Sequence, residues 1–125
     1  MFSIVVLPKS ERGPDGERLG RITVGDFSER FGCYGSAAQI CRMDSTWRAK
    51  LAAITEGALA VALVHDPRFA WVVFREGDDC FIQQIGSLTR KFGKLLPRSV
   101  PTARRPISQW SCSVLAIQEF LARPM

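Results

Sequence analysis

The sequence predicts an α+β fold, a mainly antiparallel sheet of about five strands covered by one long helix and a short C-terminal helix. Three observations lead there. Short runs rich in β-branched and aromatic residues are set apart by Gly, Pro and Asp turn signals, an apolar stripe of helical period begins at Ile40, and a second, shorter stripe follows Ser113.

The first strand is Phe2-Ser3-Ile4-Val5-Val6-Leu7, and Arg21-Ile22-Thr23-Val24 is its partner in a hairpin. Between them Gly13-Pro14-Asp15-Gly16 and seven charged or hydroxyl-bearing side chains keep the chain in water, which predicts a long mobile connection. From Ser36 the period changes. Ile40, Met43, Trp47, Leu51 and Ile54 recur at steps of three and four and share one helical face. Ser36 with Gln39 matches a capping box, and Gly57 supplies the stop. Asp44 and Arg48, one turn apart, are expected to pair on the outer face.

Three further strands are read at Ala58 to Val64, Phe69 to Arg75 and Cys80 to Ile85, joined by turns at Asp66-Pro67 and Gly77-Asp78. The first is apolar on both sides, which predicts a central strand; the last is wetter, which predicts a place nearer an edge. After a basic, Pro-punctuated stretch, Ser113 caps a terminal helix with Val114, Ile117, Phe120 and Leu121 on one side.

Composition sets the class. With 125 residues, 46% hydrophobic and 23% charged, the chain is expected to form one domain with a sufficient core of its own. The apolar start lacks the basic flank and the length of a signal or membrane segment, so the expected compartment is the cytosol. Cys33, Cys41, Cys80 and Cys112 include no C-x-x-C pair, and are expected to be reduced and largely buried rather than metal ligands.

Catalytic material is thin. The single histidine, His65, precedes a turn; Asp78 and Asp79 are read as solvated turn formers; no phosphate-binding or dinucleotide-binding glycine motif occurs. No catalytic, cofactor or metal site is therefore assigned. Charge is more informative. Every acidic residue but Glu119 lies at or before Asp79, whereas Arg90, Lys91, Lys94, Arg98, Arg104 and Arg105 follow with no carboxylate between them. Such a region attracts phosphates or steers an acidic protein surface into contact. With Tyr34, which sits beside glycine and is expected to be exposed, these residues are the candidate partner-binding set.

From Ile22-Thr23-Val24-Gly25-Asp26-Phe27-Ser28-Glu29-Arg30-Phe31 onward the sequence resembles the CdiI immunity proteins of bacterial contact-dependent growth inhibition. Similar segments keep the same order: Met1 to Pro8, the helix end from Trp47 to Gly57, Trp71-Val72-Val73-Phe74-Arg75-Glu76-Gly77-Asp78, Phe81-Ile82-Gln83-Gln84, and Ile107-Ser108-Gln109-Trp110 before Phe120-Leu121. The resemblance spans most of the chain. It implies a cytosolic protein without catalysis or cofactor, which binds the C-terminal toxin domain of a CdiA-type effector, frequently a nuclease, as a 1:1 heterodimer. A basic second half then calls for an acidic surface on the toxin or for binding away from its phosphate-binding cleft. The residues alone also admit a small basic nucleic-acid-binding module.

Overall fold

The computed structural model describes residues 1–86 and 98–125. The α+β architecture is as predicted, with seven strands divided between two antiparallel sheets. The first sheet is β1 (Phe2–Val6), β2 (Arg18–Val24) and β3 (Phe27–Cys33); the second is β4 (Ala60–Asp66), β5 (Phe69–Glu76), β6 (Asp79–Gly86) and β7 (Trp110–Ser113). Each sheet keeps its strands in chain order. Helix α1 (Ala37–Thr55) connects the sheets and α2 (Val114–Ala122) follows β7 directly. Among the described residues no helix is long and apolar enough to cross a membrane.

One core joins these pieces. The inner face of the first sheet (Phe2, Ile4, Ile22), the stripe of α1 and the Trp71–Val73 face of β5 belong to a single buried cluster that α2 closes with Ile117 and Phe120. The two sheets meet through rings: Phe27 of β3 stacks on Trp110 of β7 at 3.9 Å, and Trp71 lies edge-on or tilted to Phe27, Phe31 and Trp110 at 5.8 to 6.4 Å. Ala70, Val72 and Phe74 point to the opposite face of β5, where they form a second, smaller cluster.

Helix α1 is built as its sequence dictates. Ser36 accepts from the Gln39 amide while the Gln39 side chain accepts from the Ser36 amide at 2.7 Å, closing the capping box. Met43, Trp47, Leu51 and Ile54 are buried, and Gly57 takes φ +114°, a conformation that a Cβ would strain. Its last carbonyls are met from another element: Arg75 of β5 donates to Ile54 O at 2.7 Å. Ser36→Ala removes the cap acceptor, and equilibrium denaturation is expected to show a loss of about 1 kcal/mol, with Ser36→Asn retaining most of the stability.

Several local expectations change. Asp44 and Arg48 do not pair. Asp44 accepts the Val6 amide at 2.9 Å, stitching the end of β1 to α1, while Arg48 donates to Arg123 O and stacks 4.4 Å over the Phe120 ring at the end of α2. The apolar strand β4 lies at the end of its sheet and β5 is interior; β4 is apolar on both sides because its second face (Ala60, Ala62) packs on the smaller cluster. Conversely β6 is interior. Its wet-looking Gln83 is buried and donates to Ser99 O and Gln109 Oε1, so the amide faces an internal polar network rather than solvent. Of the four free thiols, Cys33 and Cys80 are buried and Cys112 is half-buried, whereas Cys41 is exposed.

Candidate partner-binding surface

Arg90, Lys91 and Lys94 lie outside the described residues. Arg98 is committed to the fold: it holds Glu76 through two hydrogen bonds of 2.6 and 3.0 Å, donates to Gln109 Oε1 at 3.0 Å, and covers the Phe81 ring at 4.0 Å. Its side chain is only 13% exposed, so its charge is shared with Glu76 rather than presented to solvent. The same hydrogen bond lowers the Glu76 carboxyl and raises the guanidinium. Arg98 thus fastens the stretch before β7 onto the outer face of the second sheet.

Arg104 and Arg105 are exposed on a tight turn held by Thr102, whose amide donates to Arg105 O while the Arg105 amide donates back to the Thr102 carbonyl and hydroxyl. Beside them is a shallow depression of about 460 Å³, walled by Pro101, Pro106 and Ile107. Tyr34 is 41% exposed, as expected. Its hydroxyl donates to Glu17 at 3.2 Å, and its ring lies over Gly32, where an added Cβ would come within 2.4 Å of it. These contacts tie Tyr34 to the first loop.

That loop, expected to be a mobile connection, is a folded wall. Gly13 and Glu17 pair across it, Gly16 turns it at φ +76°, and the Arg12 guanidinium donates to Lys9 O at 2.9 Å and Gly16 O at 3.3 Å. Arg30 of β3 braces it through Glu11 at 2.8 Å. Together with the end of β1 and the first turns of α1, the wall encloses a groove of about 970 Å³. Lys9, Arg12 and Arg18 line this groove, opposite Ala37, Ile40, Cys41 and Asp44.

The groove has a net positive lining, with Lys9, Arg12 and Arg18 set against the single carboxylate of Asp44. The ion pairs among the described residues are Arg30–Glu11, Arg68–Asp66 and Arg98–Glu76, so none of the three groove cations has a carboxylate within 4 Å. Arg18 donates one terminal N–H to Leu7 O at 3.1 Å, while its buried Nε meets no acceptor. No acidic side chain occupies the first turn of α1, where the helix dipole adds to the positive field. The one carboxylate in the lining, Asp44, accepts the Val6 amide and keeps its negative charge, so the cations exceed it by two. The sequence carried part of this signal in Lys9, Arg12 and Arg18, but nothing in their spacing shows that they converge on the start of a helix.

His65 lines neither of these cavities. It is the extra residue of a β-bulge between Val64 and Asp66, with Nδ1 2.9 Å from Gly32 O and its ring 4.5 Å from Phe31. Among the described residues no three His, Cys, Asp or Glu side chains gather as a metal site. Burial pushes the Cys33 and Cys112 thiols up to about 12 and Cys80 up to about 11, which suppresses their nucleophilic thiolates.

No protein-family model matches the sequence, and no curated protein matches it. A chain of the CdiA-CT/CdiI toxin and immunity complex from Enterobacter cloacae has the same fold: the superposition covers 97% of this chain and 96% of that one, with a TM-score of 0.74 at 19% identity.

Proposed function

We propose that this protein is an immunity protein, which binds and neutralises the C-terminal toxin domain of a CdiA-type effector in the cytoplasm and performs no catalysis of its own. The likeness over almost the whole chain to a member of a toxin and immunity complex carries the reading. The surface chemistry agrees with it. A well-packed two-sheet frame presents a built, positively charged groove and a rigid basic turn at Arg104 and Arg105, which suit a protein partner with an acidic face.

The toxin domain is a nuclease in this reading, and the sign of the charge sets the mode of inhibition. A cationic inhibitor is repelled by a cationic phosphate-binding cleft, so it does not imitate the nucleic acid; it seats on an acidic surface of the toxin and blocks access from there. A 1:1 complex burying roughly 800 Å² on each partner is sufficient for tight binding when a few anchors are fully desolvated.

Co-expression with the C-terminal toxin domain of a CdiA-type effector from the same genome tests this. Growth is expected to be restored, and the purified pair is expected to elute as one complex with an affinity of about nanomolar or tighter. Continued killing with the protein folded and in excess rejects the proposal. Retention on RNA or duplex DNA at near-physiological salt, without any protein partner, favours a nucleic-acid-binding module in its place.

A further inference from the structure

We infer that the groove between the first loop and the start of α1 is the docking site for the partner, and that its occupant is a protein segment carrying carboxylates beside an apolar anchor. This rests on the immunity reading above and names the surface that performs it.

Three features select this groove. First, it is concave and, at about 970 Å³, of the size that buries a whole ligand group, whereas the depression beside Arg104 and Arg105 is shallow and about half as large. Desolvated pockets hold the anchors of an interface; open tips chiefly steer encounter. Second, Lys9, Arg12 and Arg18 outnumber the one carboxylate of the lining, Asp44, and none of the three is ion-paired among the described residues. The exposed Lys9 and Arg12 side chains offer an incoming carboxylate charge-assisted hydrogen bonds. Third, Val6, Leu7 and Ile40 give the groove an apolar part, so an occupant gains by burying an aliphatic or aromatic side chain next to its charges.

The walls are also held in place before binding. Arg12 is fixed by two backbone carbonyls, Glu11 by Arg30, and Asp44 by the Val6 amide. Little ordering of loop or side chains remains to oppose association. Nucleic acid fits less well: its repeating phosphates favour an open basic track with stacking platforms, and the groove has no aromatic lining.

Cys41 provides the readout, since it is the exposed thiol and lines the groove. The full chain is treated with iodoacetamide, alone and after mixing with the C-terminal toxin domain of a CdiA-type effector from the same genome, and alkylation at Cys41 is followed by peptide mass spectrometry. Complex formation is expected to slow alkylation about tenfold or more as the thiol loses access. Lys9→Glu combined with Arg12→Glu is expected to slow association by about tenfold at low salt. Arg104→Glu with Arg105→Glu is expected to leave protection of Cys41 intact in whatever complex forms. A complex that forms while Cys41 reacts at the free rate overturns the inference and leaves the immunity reading standing. A folded protein that forms no complex removes both, and protection of Cys41 by RNA instead of by the domain shows the partner class to be wrong.

Discussion

Trp71→Ala is expected to cost about 3 to 5 kcal/mol of unfolding free energy, the largest effect of any single side-chain truncation proposed for this protein. Trp71 is fully buried, and its ring touches the ring cluster through which the two sheets meet. Truncation leaves a cavity bordered by rings from β3 and β7, and the surrounding sheets cannot collapse into it without breaking their ladders. Trp71→Phe separates packing from polarity. The Trp71 indole N–H is buried without an acceptor, so its removal sacrifices ring volume but no hydrogen bond. The contrast is Trp47, whose indole donates to Val64 O at 2.9 Å. Trp47→Phe loses that bond and leaves a strand carbonyl without its donor. Denaturant titrations are expected to rank Trp71→Phe as milder than Trp47→Phe. The reverse order would show that the Trp71 N–H has a partner, such as a bound water, or that ring volume outweighs the bond.

The same residues show what the sequence discloses and what it withholds. Local signals were fully legible: the capping box at Ser36, the stripe through Trp47, the Asx turn in which Asp66 accepts the Arg68 amide, and the Ser113 cap of α2 each depend on neighbours within four residues. Strand β3 was less legible. Phe27, Phe31 and Cys33 alternate with polar residues, but Ser28, Glu29, Arg30 and Gly32 dilute the pattern, and the two-residue turn Gly25-Asp26 that pairs Val24 with Phe27 marks it only weakly. β7 is four residues long and defined by its pairing with β6, so no period could reveal it. Without β7, β6 reads as an edge; without the second cluster, β4 reads as central.

Long-range placement also explains the difference at the candidate site. A run of cations without intervening carboxylates is visible in one dimension, yet Arg98 finds its counter-charge in Glu76, twenty-two residues earlier. Lys9, Arg12 and Arg18 sit among Glu11, Asp15 and Glu17 and so look balanced in sequence. In the fold two of those acids are taken up elsewhere: Glu11 turns to Arg30, and Glu17 is bound by the Asp15 amide and the Tyr34 hydroxyl. Net charge along a chain is therefore a poor guide to the field at a surface when the acids of a loop take partners other than its bases.

Acidification from pH 6.5 toward pH 5 is expected to destabilise the protein through one residue. His65 is 3% exposed and packed against Phe31 and Trp71, and burial is the main cause that lowers its pKa, opposed in part by the hydrogen bond to Gly32 O and by the neighbouring Asp66. The unfolded chain takes up a proton near the ordinary histidine value, while the folded protein resists it. The unfolded state therefore holds more protons in the window below that value, and stability falls as pH falls there, with a limiting slope of about 1.4 kcal/mol per pH unit. Above the unfolded value the contribution is complete. The structural reason is visible at Nε2, which is buried and meets no partner; protonation would place a second N–H donor there with no acceptor among the described residues. Asp66 acts in a separate window. Burial raises its pKa, but the Arg68 amide and guanidinium outweigh that and lower it, so its stabilisation is lost as pH falls from the ordinary carboxylate value downward. Because the chain has a single histidine, the measurement is clean. Unfolding free energies between pH 8 and pH 5 are expected to slope in the native protein and to flatten above pH 5 in His65→Gln, whose own stability at pH 8 is lower by the lost ring packing. Equal slopes in the two proteins would place the titrating group elsewhere.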